Sequence, residues 1–320
     1  MINICVVGGG YWGENHLKTL HELGLLAGLV DIENSKRDKA KKKYSKILTF
    51  SCIEEALKEN MFDGFVIASP VATHFEIGKK ILQHTKPVLI EKPFCERLKE
   101  AKELGDLALS KNVCLMVGHL LLFHPSTSLI KEYIDLKKLG KLKYIYSNRL
   151  NLGKIRSNED VFWSFAPHDI SLLQYFIGED PLDISANSHS FVGQNADIQI
   201  THLKYPNGVK AHIHSSWFNP LKEHSLVLIG DKGLINYRAS HDNYMTFKAI
   251  EIKEKKLSDP VINVLDSKKI YFEKSEPLKE ELKYFTSRIK KNEMAEIAGI
   301  SSALQTTRIM ETASKKHVQR

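Results

Sequence analysis

Residues 2–13 read INICVVGGGYWG, and this stretch is the strongest indication of the fold. A short apolar run of strand character leads into the pattern G-x-G-x-x-G, formed by Gly8, Gly10 and Gly13. At a strand-to-helix junction the first glycine allows a tight turn, the second lets a pyrophosphate approach the backbone, and the third lets the helix pack on the strand. A glycine-rich turn alone occurs in many α/β proteins, but this one follows an apolar strand and opens a helix. It therefore predicts a dinucleotide-binding turn.

An acidic residue ends the second apolar run. Asp31 follows residues 26–30, at the place where a carboxylate can accept hydrogen bonds from an adenosine ribose. Because a carboxylate there would repel a 2′-phosphate, we expect NAD rather than NADP as the cofactor. Arg37 is expected to lie too far along the next helix to change that preference.

The first 118 residues alternate apolar runs with amphipathic segments, as the strand and helix units of a parallel sheet do. Six runs predict strands, at 2–7, 26–31, 47–50, 64–68, 88–90 and 114–117. The predicted fold class is α/β, in which residues 1–120 form a Rossmann domain with a doubly wound parallel sheet.

After residue 124 the pattern changes to long segments of alternating polarity separated by turn residues. These segments lie at 197–205, 209–218, 226–229 and 234–237, with helices predicted at 126–139, 169–176 and about 302–315. Residues 121–320 are therefore predicted to form an α+β domain on a largely antiparallel open sheet. Its last helix is able to pack back toward the first domain.

The composition limits the class of protein and its partners. A chain of 320 residues with 42% hydrophobic and 26% charged residues predicts a folded soluble protein of two domains. The net charge of +8 suggests nucleic acid, anionic lipid or a small anionic substrate as partner. The lysine-rich segment at 36–43 contains an acid and few aromatics, so a solvated helix face is favoured over nucleic-acid binding.

Targeting and cysteine patterns point to the cytoplasm. The longest apolar runs fall well short of the roughly 18 residues that span a bilayer, and the N-terminus lacks the pattern of a signal peptide. The four cysteines have no CxxC spacing. We therefore expect neither a membrane span, nor a disulfide scaffold, nor a zinc ribbon.

Two polar loops follow the fourth and fifth predicted strands, at the sheet edge where ligands bind in such folds. They read SPVATH at 69–74 and EKP at 91–93. Pro93 disfavours a helical backbone at Lys92, so the lysine ammonium can project into the crevice and stabilise negative charge developing on a substrate oxygen. Taken alone, Lys92 could equally be a solvated loop lysine.

A histidine follows proline in the segment WSFAPHDIS at 163–171. Asp169 is expected to cap a helix there, so that the positive helix end keeps His168 neutral and able to accept a proton. The competing interpretation is a structural histidine. His212 and His214 share a strand face without a visible third ligand, so a solvated face is expected there and no metal site.

The motifs together resemble the Gfo/Idh/MocA family of oxidoreductases in order and spacing, including Pro167-His168-Asp169. The resemblance implies NAD binding by Gly8, Gly10, Tyr11, Trp12, Gly13, Asp31, Ser69, Pro70, His74, Glu91 and Lys92. It also implies that Lys92 lies near the nicotinamide, that His168 exchanges the substrate hydroxyl proton, and that the second domain carries substrate and oligomer contacts. Many members have an aspartate shortly before that histidine, where this chain has Ser164.

A finer resemblance is to nucleotide-sugar 3-dehydrogenases. It rests on GYWGEN at 10–15, HELG at 21–24, RLNLGKIR at 149–156 and the segment 163–171. It implies NAD-dependent oxidation of the C3 hydroxyl of UDP-N-acetylglucosamine by a homodimer or homotetramer, ahead of an aminotransferase in amino-sugar and lipopolysaccharide biosynthesis. The expected substrate contacts are Lys92, His119, Arg149, Asn151, Arg156, Trp163 and His168.

Three alternatives stay open at this point. The substrate could be UDP-N-acetylglucosaminuronic acid or another sugar or polyol, or the protein could be a non-catalytic regulator that binds NAD. Neither nucleic acid nor a membrane is an expected partner.

Overall fold

The computed structural model describes residues 2–153, 155–156, 159–239, 243–255, 258–315 and 317–318. The chain forms two compact units, one made of Met1–Phe123 with Glu276–Arg308 and the other of His124–Ser275 with Ile309–Arg320. The sequence prediction assigned residues 121–320 to the second domain, with the last helix able to pack back toward the first, whereas residues 276–308 belong with the first unit.

The elements follow one another along the chain as two sets. The strands are β1 (Ile4–Val7), β2 (Leu26–Val30), β3 (Leu48–Phe50), β4 (Gly64–Ile67), β5 (Val88–Ile90), β6 (Leu115–Val117), β7 (Leu142–Leu152), β8 (Asp183–His189), β9 (Ile198–Lys204), β10 (Lys210–Ser216), β11 (Phe218–Gly230), β12 (Gly233–Arg238), β13 (Tyr244–Lys255), β14 (Ser258–Tyr271) and β15 (His317–Val318). The helices are α1 (Tyr11–Glu22), α2 (Asn34–Lys43), α3 (Ile53–Lys58), α4 (His74–Gln83), α5 (Leu98–Lys111), α6 (Pro125–Asp135), α7 (Val161–Ile177), α8 (Pro277–Lys291) and α9 (Ile300–Lys315).

The first unit is built on a six-stranded sheet in the order β3-β2-β1-β4-β5-β6, with every neighbouring pair parallel. Strands β1, β4, β5 and β6 are buried along their whole length, because helices cover both faces of such a sheet. The strand order reverses between β1 and β4, and ligands of doubly wound folds bind at that point. The six predicted strands and the Rossmann domain are confirmed.

Helix α8 joins this unit although it lies far along the chain. Its contact with the sheet depends on Gly64, where a Cβ would come within 2.7 Å of Ile289 Cδ1. The amide of Val117 in β6 also donates to the carbonyl of Ala298, at 2.8 Å. The return of residues 276–308 thus completes the first unit by packing on the sheet and by a backbone hydrogen bond.

The second unit is built on a nine-stranded sheet in the order β14-β13-β12-β11-β7-β10-β9-β8-β15. The β7–β10 and β8–β15 pairs are parallel and the other neighbours are antiparallel. Helix α7 contacts β7, β9 and β10 on one face. The fold class, with its largely antiparallel second sheet, is confirmed. None of the helices in the described part of the chain is long and apolar enough to cross a membrane.

Candidate functional site

The glycine loop between β1 and α1 is tight at its two ends and open in its middle. Gly8 has a φ of 97°, and a Cβ there would come within 2.8 Å of the Ser69 nitrogen. A Cβ on Gly13 would lie 1.9 Å from the Gly8 carbonyl oxygen. Around the Cβ position of Gly10 no described atom lies within 4 Å. The loop therefore leaves open the side on which a pyrophosphate would approach the first amides of α1.

The carboxylate of Asp31 lies against this loop. Its Oδ2 accepts the amide hydrogen of Gly9 at 2.6 Å and its Oδ1 accepts that of Glu33 at 2.8 Å. Each oxygen has a second lone pair that can accept a ribose hydroxyl. The glycine turn and Asp31 thus form the adenosine end of a dinucleotide site, and their geometry fits NAD.

Arg37 lies closer to Asp31 than the sequence prediction placed it, although the preference for NAD is unchanged. The first turn of α2 brings its guanidinium back over residues 31–32, where Nη1 donates to the carbonyls of Asp31 at 2.5 Å and Ile32 at 3.0 Å. Lys36 Nζ lies 4.0 Å from Asp31 Oδ2. Two cations therefore flank the acid that is expected to exclude a 2′-phosphate. Lys36 also pairs with Glu33, as expected for a solvated helix surface.

His74 joins the two polar loops that follow β4 and β5. Its Nε2 lies 2.8 Å from the Ser69 carbonyl and its Nδ1 lies 3.0 Å from the Pro93 carbonyl. Burial lowers the pKa of His74, although the facing carbonyls act in the opposite direction. Both ring nitrogens have internal partners, so its predicted contact with the cofactor stays a prediction, as do those of Ser69 and the exposed Pro70.

Lys92 begins the second of these loops, next to a buried acid. Glu91 is 4% exposed, and its Oε1 lies 2.8 Å from Nε2 of His16 on α1. Its Oε2 accepts the backbone amide hydrogen of Lys92 at 3.0 Å. The contacts of Glu91 are therefore internal, and its predicted contact with the cofactor stays a prediction. The side chain of Lys92 is partly exposed.

His119 and Glu281 are two further buried groups of the first unit. Their exposed fractions are 1% and 0%, and among the described residues neither nitrogen of His119 and neither carboxyl oxygen of Glu281 has a hydrogen-bond partner. Burial lowers the pKa of His119 to about 4 and, with the charge of Glu91, raises that of Glu281 well above its ordinary value. The predicted substrate contact of His119 stays a prediction.

Helix α7 differs from the prediction, and this changes the setting of His168. The helix begins at Val161, and its cap is Asp160, whose Oδ1 accepts the Trp163 amide hydrogen at 2.8 Å. Pro167 lies inside the helix. The expectation that Asp169 caps a helix at His168 is therefore wrong, and so is the argument that a helix N-terminus keeps this histidine neutral. His168 lies in the helix interior and is partly exposed.

Asp169 instead anchors α7 to β7. Arg149 donates to it through Nε at 2.7 Å and Nη2 at 2.9 Å, and Ser147 Oγ donates at 2.6 Å. Burial lowers the pKa of Arg149, but the charge of Asp169 outweighs it and the pKa is raised. Because two of its donors are used by Asp169, only the remaining part of the guanidinium could meet a diphosphate, and that contact stays a prediction.

The other predicted substrate contacts lie on β7, between β7 and α7, and at the start of α7. Asn151 is partly exposed on β7, and the side chain of Arg156 is 53% exposed and pairs with Glu159. Trp163 Nε1 donates to Ser314 Oγ at 2.8 Å. Lys154, part of the 149–156 motif, lies outside the described residues. The roles of Asn151, Arg156 and Trp163 in binding stay predictions.

His212 and His214 lie on the face of the second sheet opposite α7. His212 Nδ1 is 2.8 Å from the Tyr144 hydroxyl, and its ring stacks on that of Tyr146 at 5.3 Å. Burial lowers the pKa of both histidines. Across the described ranges no group of three or more His, Cys, Asp or Glu residues could hold a metal ion.

Two family models match the chain. Residues 2–119 match the oxidoreductase family Gfo/Idh/MocA, with an NAD-binding Rossmann fold, and residues 128–236 match the C-terminal domain of the same family. The protein belongs to the Gfo/Idh/MocA family, and its first unit is an NAD-binding Rossmann domain.

Individual relatives are more distant. UDP-N-acetylglucosamine 3-dehydrogenase from Acidithiobacillus ferrooxidans is 29% identical over 66% of this chain and 66% of its own length. A scyllo-inositol 2-dehydrogenase (NAD(+)) from Bacillus subtilis is 23% identical over 52% of each chain. Both alignments span less than two thirds of these relatives. A solved structure of the Acidithiobacillus ferrooxidans enzyme matches 99% of this chain and 97% of that one, with a TM-score of 0.84 and 20% identity, which confirms the fold.

Proposed function

We propose that the protein oxidises the C3 hydroxyl of a UDP-N-acetyl-hexosamine, with UDP-N-acetylglucosamine as the first candidate, and that its oxidant is NAD rather than NADP. One observation carries the cofactor choice: two backbone amides hold the Asp31 carboxylate beside the glycine loop, where it suits ribose hydroxyls and repels a 2′-phosphate. The substrate is supported by the segments 149–156 and 163–171 and by the related 3-dehydrogenase.

The reaction removes a hydride from C3 and a proton from the hydroxyl, and leaves a ketone. NAD, when bound, supplies the acceptor for the hydride. Lys92 would donate a hydrogen bond to the C3 oxygen and stabilise the negative charge that grows there. His168 would take the hydroxyl proton, held in place by α7, which Asp169 anchors to β7. Each positioned proton-transfer group typically contributes about 10²–10⁴ in rate.

The diphosphate requires cationic partners. Arg156 is exposed and pairs with Glu159, a surface contact that contributes little stability. We propose that Arg156 exchanges this partner for the diphosphate, which arginine can bind bidentately, and that Asn151 donates from β7. Arg156→Ala should raise the KM for the sugar nucleotide and leave kcat unchanged. An unchanged KM would count against this assignment.

Partners follow from the same proposal. The 3-keto product is a substrate for an aminotransferase. That enzyme would remove the ketone and so shift an unfavourable oxidation toward product. Tyr144, Tyr146 and His212 lie on the face of the second sheet opposite α7, and such partly apolar faces favour association. We propose a homodimer or homotetramer through this face. Light scattering on the purified protein gives the mass that checks it.

The test is a substrate panel followed by NADH absorbance, with and without an aminotransferase to remove the ketone. UDP-N-acetylglucosamine should give NADH, and more of it with the drain. Turnover only with UDP-N-acetylglucosaminuronic acid, or only with a free sugar or polyol, would show that the substrate is a different one and that the reaction class is unchanged. NAD binding without turnover on any of them would indicate a non-catalytic regulator.

A further inference from the structure

Glu91 is the centre of a buried polar cluster, the Glu91 cluster, formed by His16, Glu91, His119 and Glu281. All four side chains belong to the first unit and are at most 4% exposed. They come from four separate places: α1, the loop after β5, the loop after β6, and α8. Four polar groups brought to one buried place from distant parts of the chain require a physical reason, because burial of such groups opposes folding.

The two acids of the cluster have opposite pKa shifts. Burial raises the pKa of Glu91, but the hydrogen bond and charge of His16 and the charge of Lys92 outweigh burial and leave it lowered. Burial and the charge of Glu91 raise the pKa of Glu281, and burial lowers that of His119 to about 4, so both groups favour their uncharged forms. The Glu91 carboxylate is therefore held by His16 and by the Lys92 backbone amide.

Gly118 provides the room for this carboxylate. A Cβ on Gly118 would lie 2.9 Å from both Cδ and Oε2 of Glu91 and 3.1 Å from Oε1. A side chain at this position would therefore push the carboxylate away from His16. The end of a flexible side chain can move, so such a substitution displaces Glu91 without opposing the backbone fold.

The hydrogen bond between His16 and Glu91 connects two functional elements of the first unit. His16 lies on α1, the helix that follows the glycine loop, and Glu91 immediately precedes Lys92. We propose that His16 is a positioning residue for Lys92: through Glu91 it holds the start of the lysine loop against the helix at which the cofactor phosphates would bind. The catalytic consequence rests on the proposed function, but the placement of Lys92 can be measured without any substrate.

Three substitutions isolate the contact. His16→Leu removes the hydrogen bond, and His16→Gln keeps an amide that can still donate to Glu91. Gly118→Ala displaces the carboxylate while leaving His16 intact. His21→Leu is the matched control, because His21 is an exposed histidine on the same helix.

Two readouts are compared. The first is the rate at which acetic anhydride labels Lys92 relative to the exposed Lys18, measured by peptide mass spectrometry without substrate. The second is kcat, KM and the Kd for NAD. A misplacement of about 1 Å costs about 100-fold in rate, so we expect His16→Leu and Gly118→Ala to lower kcat by about 10- to 100-fold. Lys92 labelling should be altered, and the Kd for NAD should change less than kcat. His16→Gln and His21→Leu should resemble the parent protein.

The outcomes separate the two proposals. Folded His16→Leu and Gly118→Ala proteins with parental Lys92 labelling would overturn the positioning role, whatever their activity. The positioning role would also be overturned if His16→Gln lost as much kcat as His16→Leu while the labelling of Lys92 stayed parental in both variants. That result would indicate that His16 has a structural role only. If the parent protein oxidises no sugar nucleotide while labelling responds as expected, the proposed function fails and the positioning of Lys92 is supported.

Discussion

Replacing Glu281 by glutamine should make the protein more resistant to heat, and increasingly so as the pH rises. Glu281 is 0% exposed, and neither carboxyl oxygen has a hydrogen-bond partner within the described part of the chain. Burial and then the charge of Glu91 raise its pKa well above 4.5. In the unfolded chain the carboxyl ionises near pH 4.5, so above that pH unfolding releases a proton that the folded state retains.

The size of the effect follows from this difference in bound protons. From about pH 4.5 up to the raised pKa of the folded state, a single such group lowers stability by about 1.4 kcal/mol per pH unit. Glutamine has nearly the same shape and does not titrate, so Glu281→Gln escapes this loss. For a unit of this size 1 kcal/mol shifts the melting temperature by about 2–4 °C. The difference in melting temperature between variant and parent, the gap, should thus widen by about 3–6 °C per pH unit.

Melting curves at pH 5, 6 and 7 measure this gap. Glu280→Gln is the control, because Glu280 is a surface residue of the same helix and pairs with Lys283. Its gap should stay constant over this range. A difference that also stays constant for Glu281→Gln would mean that Glu281 is ionised in the folded protein, and it would contradict a raised pKa for this group.

Four other substitutions test the catalytic roles, the cofactor preference and the anchoring of α7. Lys92→Ala and His168→Ala should each lower kcat by about 10²–10⁴ with NAD binding retained in calorimetry, and a parental rate in either variant would remove that role. Asp31→Ser should raise the affinity for NADP relative to NAD, aided by the nearby cations; titrations that give an unchanged ratio would show that Asp31 does not select the cofactor. Asp169→Ala should destabilise by about 3–5 kcal/mol, because it leaves the charge of Arg149, whose side chain is only 15% exposed, unpaired. Chemical denaturation that shows a loss below about 1 kcal/mol would mean that water or another group replaces Asp169.

The Rossmann sheet could be predicted because its physical signal is local. Each of its strands is a short apolar run, and the glycine turn and Asp31 lie at fixed places relative to those runs. Helix α8 also has a local signal, since Leu282, Phe285 and Ile289 recur at helical spacing after Pro277, but the sequence prediction did not use it. Its membership of the first unit depends on distant contacts such as that with Gly64.

The setting of His168 could not be read from its neighbours. Pro167 and Asp169 together look like a helix start, but proline is tolerated inside α7 and the cap is Asp160. Asp169 is used by Arg149, which is far away in sequence. Asp169 could cap a helix locally, but in the folded chain it forms an ion pair with Arg149 instead.

The Glu91 cluster was missed for a related reason. Glutamate and histidine are mostly found at least partly exposed, so His16 and Glu281 had no feature that marks them as buried. Gly118 provides room for the Glu91 carboxylate, which only the folded chain reveals. The one available sign was the position of His16 beside Leu17 and Leu20, on the apolar face of α1.

The most direct measurement of the proposed reaction is the fate of the hydrogen on C3. UDP-N-acetylglucosamine carrying deuterium only at C3 is incubated with the protein and NAD, and the reduced cofactor is analysed by mass spectrometry. Oxidation at C3 predicts that the reduced cofactor carries the deuterium and that turnover is slowed when transfer limits the rate. Reduced cofactor formed without deuterium would contradict oxidation at this carbon.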